Sequence, residues 1–298
     1  MSLTRRHLFA GLGALTLTAC APGPVVDELP VPPPKPTQDP GVSTLSSAVT
    51  KLSGVLSEQP DPWRTAALAQ TSAWQARLLA ADPLIGGEPV FPETSASPSA
   101  PQNSDPAAAS TDATQLVLDA ATKALEEAPN QPMRLFHVSI LLATTGLRNP
   151  ASVPDETVSE PYRYAETTDK AALGAALTHV WALLQALEKG LGITTPKDPL
   201  HATLQGRHTE LKRLRDRLIS ALGSDRPRQD GHYDLPAITD VASFQTTELE
   251  LESKLLNGLA GVVAAAGEKD WLGEALAQVP RLQALGGRLP AWPGWVNS

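Results

Sequence analysis

Leu173, Leu177, Val180, Leu184, Leu187 and Leu191 recur at alternating intervals of four and three residues. Only an α-helix stacks such positions on one side, because about 3.6 residues complete a turn. A seam this narrow is stable only when other helices cover it. Leu200, Leu204, Leu211, Leu214, Leu218 and Leu222 repeat the pattern after Asp198-Pro199, an N-cap followed by proline at the first helical position. Phe244, Leu251, Leu255 and Val262 mark a third seam, and Leu272, Ala275, Val279 and Leu282 a fourth. Helices are predicted over 169–191, 198–222, 237–266 and 269–288. Their short connections imply an antiparallel four-helix bundle. Aromatic residues are 4% of the chain, while alanine and leucine are abundant, so the fold class expected throughout is all-α.

The same periodicity appears further upstream. Leu45, Val49, Leu52 and Leu56 share one face of a helix over 43–57, and Trp63, Gln70, Trp74 and Leu78 one face of a helix over 62–81. Asp61-Pro62 is read as the N-cap and first residue of the second. Residues 92–112 are Pro, Ser, Ala and Asn with almost no large apolar side chains, too little to order a segment, so a flexible excursion is expected. Helices resume over 112–128 and 132–147. The latter carries one charge, Arg134, and is apolar nearly all round, the mark of a helix buried on most sides.

The first residues belong to no fold. Arg5 and Arg6 precede a short apolar stretch from Leu8 to Ala19, the layout of a signal peptide and too short to span a bilayer. No second apolar run of membrane-spanning length is read from the chain. Leu17-Thr18-Ala19-Cys20 resembles a bacterial lipobox, in which the cysteine receives the lipid and becomes the new N-terminus. Cys20 is the only cysteine, so it has no internal disulfide partner. Diacylglyceryl and palmitate-type acyl chains together make a durable anchor. Thr4-Arg5-Arg6-His7-Leu8-Phe9 resembles a twin-arginine export motif with its two apolar positions swapped. General secretion is the alternative route. Eight prolines lie within 21–40, giving an extended spacer that reaches roughly 60 Å at about 3.1 Å per residue. The organisation expected is a signal peptide over 1–20, a tether over 21–41, a helical region over 42–150, a connection over 151–168 and the bundle over 169–298.

Charge excludes some partners. The chain has 24 Lys+Arg and 32 Asp+Glu; without Arg5 and Arg6 the balance is 22 against 32, or −10. Such a surface repels phosphate backbones, which argues against nucleic acid. Arg207, Lys212, Arg213, Arg215 and Arg217 are relieved by Glu210 and Asp216, and are read as a solvated face, with anionic lipid head groups as the alternative contact. Two charges point inward. Arg207 lies about 20° from its seam and Glu248 about 40° from the stripe of its helix, at 100° per residue. A buried charge is costly unless paired. The two either form an ion pair across the core or reach water along their stems. No Gly-x-Ser-x-Gly turn or phosphate loop occurs, so no catalytic residue and no enzyme activity are expected.

Tyr233-Asp234-Leu235-Pro236-Ala237-Ile238-Thr239-Asp240 leads into an alanine-rich helix ending Val262-Val263-Ala264-Ala265-Ala266-Gly267, and the chain closes with Pro290-Ala291-Trp292-Pro293-Gly294. Residues 169–295 resemble the ferritin-like domain of unknown function of exported actinobacterial proteins, and 41–147 more loosely resemble the helical region that precedes it. The resemblance implies a ferritin-like bundle. It matches His208 and Glu252 to a histidine and a glutamate of the family, and Thr178-His179 to its Glu-His pair, without the carboxylate. A di-iron bundle requires two Glu-x-x-His motifs. No glutamate here has a histidine three residues later, and no His-x-x-x-His pair occurs. His179, His208 and Glu252 remain as weak candidates for a single metal. The function expected is a lipid-anchored lipoprotein on the outer face of the cell membrane. It would be a non-enzymatic binding or interaction module of the cell envelope without a cofactor, meeting an envelope protein or a small ligand. The alternatives are a degenerate ferritin-like metal binder and a carrier of a small apolar ligand.

Overall fold

Four side chains set the starts of four helices in the computed structural model of the chain. Asp39 accepts from the Gly41 amide at 2.7 Å, Asn130 from Met133 at 2.9 Å, Asp198 from Leu200 at 2.8 Å and Asp240 from Ser243 at 2.8 Å. Each satisfies an N–H that the first helical turn leaves open. The structure describes residues 36–92, 106–156, 166–267 and 269–295. Among them the chain is all-α. The helices are α1 (Pro40–Leu56), α2 (Trp63–Leu78), α3 (Pro106–Glu127), α4 (Gln131–Leu147), α5 (Asp169–Ile193), α6 (Pro199–Leu222), α7 (Val241–Ala266) and α8 (Lys269–Ala284).

Several boundaries differ from the sequence reading: α1 starts at 40 rather than 43, α2 ends at 78 rather than 81, α7 starts at 241 rather than 237, after its Asp240 cap, and α8 ends at 284 rather than 288. α3 begins at Pro106, so 106–112 of the expected excursion is helical; the alanines there are strong helix formers, and Ala113, Val117 and Ala121 anchor the rest of the helix in the core. Residues 93–105 lie outside the described residues, as do 1–35, with the signal peptide and most of the tether. α2 starts one residue late, because the Asp61 carboxylate turns to the side chains of Thr65 and Arg64 and leaves Pro62 at the cap. The expectation that no second apolar run reaches membrane-spanning length does not hold for α5. By length and composition α5 is long and apolar enough to cross a membrane, and 61% of that window is buried against its neighbours.

Gln38 to the C-terminus belongs to one compact unit. α1 packs on α2 and α3, and α3 on α4. α5 packs on α6 and α7, and α7 on α8. α4 joins the two sets. Leu135, Val138 and Leu142 enter the apolar cluster of α5 to α8, while Met133, Phe136, Ile140 and Leu141 enter that of α1 to α3. Arg134, its one charge, donates to the Ala264 carbonyl at 2.5 Å, where the last carbonyls of α7 lack helical partners.

The closing Pro290–Gly294 stretch lies in the seam between the two halves. Trp74 Nε1 donates to the Ala291 carbonyl at 2.8 Å, Ser139 Oγ to the Pro293 carbonyl at 2.6 Å, and the Gly294 amide to Asn257 Oδ1 at 2.8 Å. Trp292 stacks on Phe136 with centroids 5.4 Å apart. Gly294 has φ +91°, and a Cβ there would meet the Ala260 Cβ at 2.7 Å, so only glycine fits without a shift.

His137 of α4 is buried, edge-on to Phe136. Burial drives its pKa down to about 4, against a small opposing pull from Asp39. The folded chain therefore holds a neutral imidazole that the unfolded chain would protonate below about 6.5. Its contribution to stability is complete above 6.5 and is lost as pH falls toward 4, by about 3 kcal/mol for a shift of this size. Relative to the parent, His137→Leu should gain stability steadily between pH 7 and pH 4.5. Urea midpoints at the two pH values measure this, and a constant difference between the chains would show that folding leaves the His137 pKa unshifted.

Candidate functional site

The inner face of α6 carries one polar side chain in an apolar stripe. Leu204, Leu211, Leu214 and Leu218 are buried, and Arg207 lies among them, 9% exposed. Its guanidinium forks onto Glu252 of α7, Nε to Oε1 at 2.6 Å and Nη2 to Oε2 at 2.5 Å. Nη2 also donates to Gln278 Oε1 of α8 at 2.9 Å. The Gln278 amide donates back to the Glu252 carboxylate and backbone carbonyl. Three helices thus share one closed network, in which the bidentate ion pair is the strongest member.

The expected partner of Arg207 was Glu248. Both are buried, yet the guanidinium pairs with Glu252, one turn further along α7. Helical phase fixes the direction a side chain points, not its height. Residues four apart share a face and differ by about 6 Å along the axis. Glu248, 4% exposed, has an Oε2 with no hydrogen-bond partner among the described residues. Burial pushes its carboxyl up to about 7, and the neighbouring Glu252 charge adds to this, while Arg207 pulls the other way.

The three weak metal candidates do not come together. The Glu252 carboxylate is taken by Arg207 and Gln278. His208 faces Glu188 at 3.6 Å on the edge between α5 and α6. His179 is half-buried over Gly258 of α7, where burial and the charge of Lys254 lower its pKa. Among the described residues no group of three His, Cys, Asp or Glu side chains is placed to hold a metal ion. These residues do not fit a di-iron centre. Cys20, Arg5 and Arg6 lie outside the described residues.

On the outer side of the network α6 and α8 approach through long side chains. A cleft of about 400 Å³ opens between them. Leu214, Leu259 and Ala277 give it apolar lining, and Arg213, Arg217 and Arg281 are its outer cations. Arg281 pairs with Glu210 and Arg217 with Glu274. The hydrogen bond from Arg281, helped by the charges of Arg281, Arg207 and Arg213, holds the Glu210 carboxyl below its ordinary range against the opposing effect of burial. Arg217 also lies over the Trp271 ring at 5.1 Å, a cation–π contact. The expected basic face therefore divides. Arg207 turns inward, Arg213 and Arg217 turn to the cleft, and Arg215 bonds Asp216 at 2.8 Å.

Glu274, Gln278 and Arg281 were not singled out from sequence, although signals exist. Gln278 falls three residues after Ala275, inside the apolar stripe of α8. Glu210 and Arg217 on α6 have the same seven-residue spacing as Glu274 and Arg281 on α8. On antiparallel helices that spacing matches each glutamate with the other helix's arginine.

Glu252→Leu alone should cost about 3–5 kcal/mol by stranding the Arg207 charge, and Arg207→Met with Glu252→Leu should recover most of it. Denaturant unfolding of the three chains decides; a single-variant loss under about 1 kcal/mol would mean a solvent-screened pair. For Glu248 the sign reverses. Its folded pKa lies above the unfolded one, so its contribution is complete below about 4.5 and is lost as pH rises through about 7. Glu248→Gln should be more stable than the parent at pH 8 and equal to it near pH 4.5. Melting curves that stay parallel across that range would assign Glu248 an ordinary carboxyl.

The chain matches no protein-family model, no curated protein and no solved structure.

Proposed function

We propose that this protein is an exported lipoprotein of the cell envelope, anchored through Cys20 to the outer face of the cell membrane, and that its helical unit is a non-enzymatic binding module. The observation that carries the binding reading is the α6–α8 cleft, where guanidinium groups from two helices converge on a rigid, internally satisfied network. Preformed concave sites with a few placed polar groups are the usual form of ligand sites. Arginine stays protonated in proteins and moves no proton. Glu248, whose carboxyl titrates near neutral pH, does not line the cleft. Both points favour binding over catalysis.

In this reading α5 to α8 form a ferritin-like four-helix bundle that has exchanged metal for arginine. A di-iron bundle neutralises its inward carboxylates with metal; here Arg207 supplies positive charge beside Glu252 and Glu248. The location rests on Leu17-Thr18-Ala19-Cys20 and on the proline-rich spacer next to it.

Cys20→Ser should move the protein out of the membrane fraction or leave it unprocessed; a variant that stays fully membrane-bound with unchanged mobility would overturn the anchor. Arg5→Lys with Arg6→Lys should stop export if the twin-arginine route is used, and normal export of that chain would assign it to general secretion.

A further inference from the structure

Three features of the unit stand out as candidate sites: the buried Glu248 carboxyl, the shallow cleft beside Lys170 and Asp225, and the excess of arginine in the α6–α8 cleft. Only the third brings several chemically matched groups to one open space. Arg207 is neutralised from behind by Glu252. That leaves Arg213, Arg217 and Arg281 against Glu210 and Glu274, one positive charge in excess, in a chain whose formal charge is −8. A locally positive recess on an acidic protein attracts an anion while the surrounding surface repels it.

The donor geometry narrows the anion. Arg217 and Arg281 each hold one carboxylate already, which does not exhaust the five N–H donors of a guanidinium. A carboxylate ligand would only exchange with Glu210 or Glu274. A tetrahedral phosphate offers oxygens to both walls at once, to Arg213 and Arg217 on α6 and to Arg281 on α8, and guanidinium forks match phosphate well. Leu214 and Leu259 give carbon atoms next to the phosphate an apolar surface. We infer that the α6–α8 cleft binds the phosphate of a phosphoester ligand, carried either by a soluble metabolite or by an anionic lipid head group. This rests on the binding-module reading and gives its site a ligand class.

The test uses the full chain carrying Cys20→Ser, purified without lipid. Inorganic phosphate is titrated at constant ionic strength, followed by calorimetry. Flotation with phosphatidylcholine vesicles, with and without phosphatidylglycerol, forms the second arm. Arg213→Gln with Arg281→Gln removes two cleft cations. Lys212→Gln with Arg215→Gln removes the same charge from α6 outside the cleft. Saturable binding in either arm should weaken about tenfold or more in the cleft variant and stay within about twofold in the other. Phosphate binding without flotation assigns a soluble ligand, and flotation dependent on phosphatidylglycerol assigns a lipid head group. Equal losses in both variants would show diffuse electrostatics and overturn the site. If neither probe binds, native mass spectrometry of the envelope-purified parent separates the remaining cases. A bound phosphoester absent from the cleft variant would support the proposal, whereas a bound molecule without phosphate that is absent from the cleft variant would overturn the phosphate class and leave the binding reading standing. No bound molecule would overturn both.

Discussion

α4 is the part on which the rest of the fold depends. It is buried along nearly its whole length, with one set of side chains in each of two apolar clusters. Neither half can bury its own surface without it. The helices α1 to α3 leave Phe136 and Ile140 of α4 as their floor, and α7 and α8 pack on its other side. The C-terminal Pro290–Gly294 stretch fills the remaining seam, bonded to α2, α4 and α7. What reads in sequence as two helical regions therefore shares a helix and a closing segment within one unit. The apolar character of 132–147 carried this meaning, since a helix without a polar face must be enclosed.

The leucine seams of α5 and α6 give cohesion but specify register poorly, because a repeat of four and three residues looks much the same after a shift of seven. A buried polar contact does not tolerate such a shift. Arg207 meets Glu252 and Gln278 at one height only, and a slip by two turns would strand three polar side chains in the core. The matched Glu210–Arg281 and Arg217–Glu274 pairs agree with that height from outside. The same groups keep α6 and α8 apart, because guanidinium side chains fill space that leucines would have closed. Register and cleft thus have one cause.

Periodicity made six of the eight helices legible, and composition marked 112–128 and 132–147. Of the N-caps only Asp198 is read in advance; Asn130 is not read as one, and Asp240 falls inside the helix expected over 237–266. Legibility weakens where local composition competes with tertiary contact. Residues 106–112 look too polar to order, yet α3 extends through them once Ala113 and Val117 are fixed against α1. For the site, direction was legible and partnership was not. Phase places Arg207 and Glu248 inside, and both are inside. Choosing between Glu248 and Glu252 requires the offset between α6 and α7, which no single helix encodes. Resemblance presents Glu252 as a metal ligand, although its position one turn from Glu248 makes it an equal candidate for the arginine.

Two of the buried titratable groups, His137 and Glu248, act against each other. Below 6.5 the unfolded chain gains a proton at His137 that the folded chain refuses until about pH 4, so acid works against folding there. From 4.5 to about 7 the folded chain keeps a proton on Glu248 that the unfolded chain releases, so base works against folding there. The windows overlap between 4.5 and 6.5, where one contribution rises with pH as the other falls. Each is a polar group enclosed by apolar side chains without a full set of hydrogen-bond partners, and each is tolerated because its neutral form is the one enclosed. His137 sits among the side chains of α4 that face α1 to α3, whereas Glu248 lies beside the arginine network. The opposition is therefore a property of the whole unit, since neither half alone contains both groups.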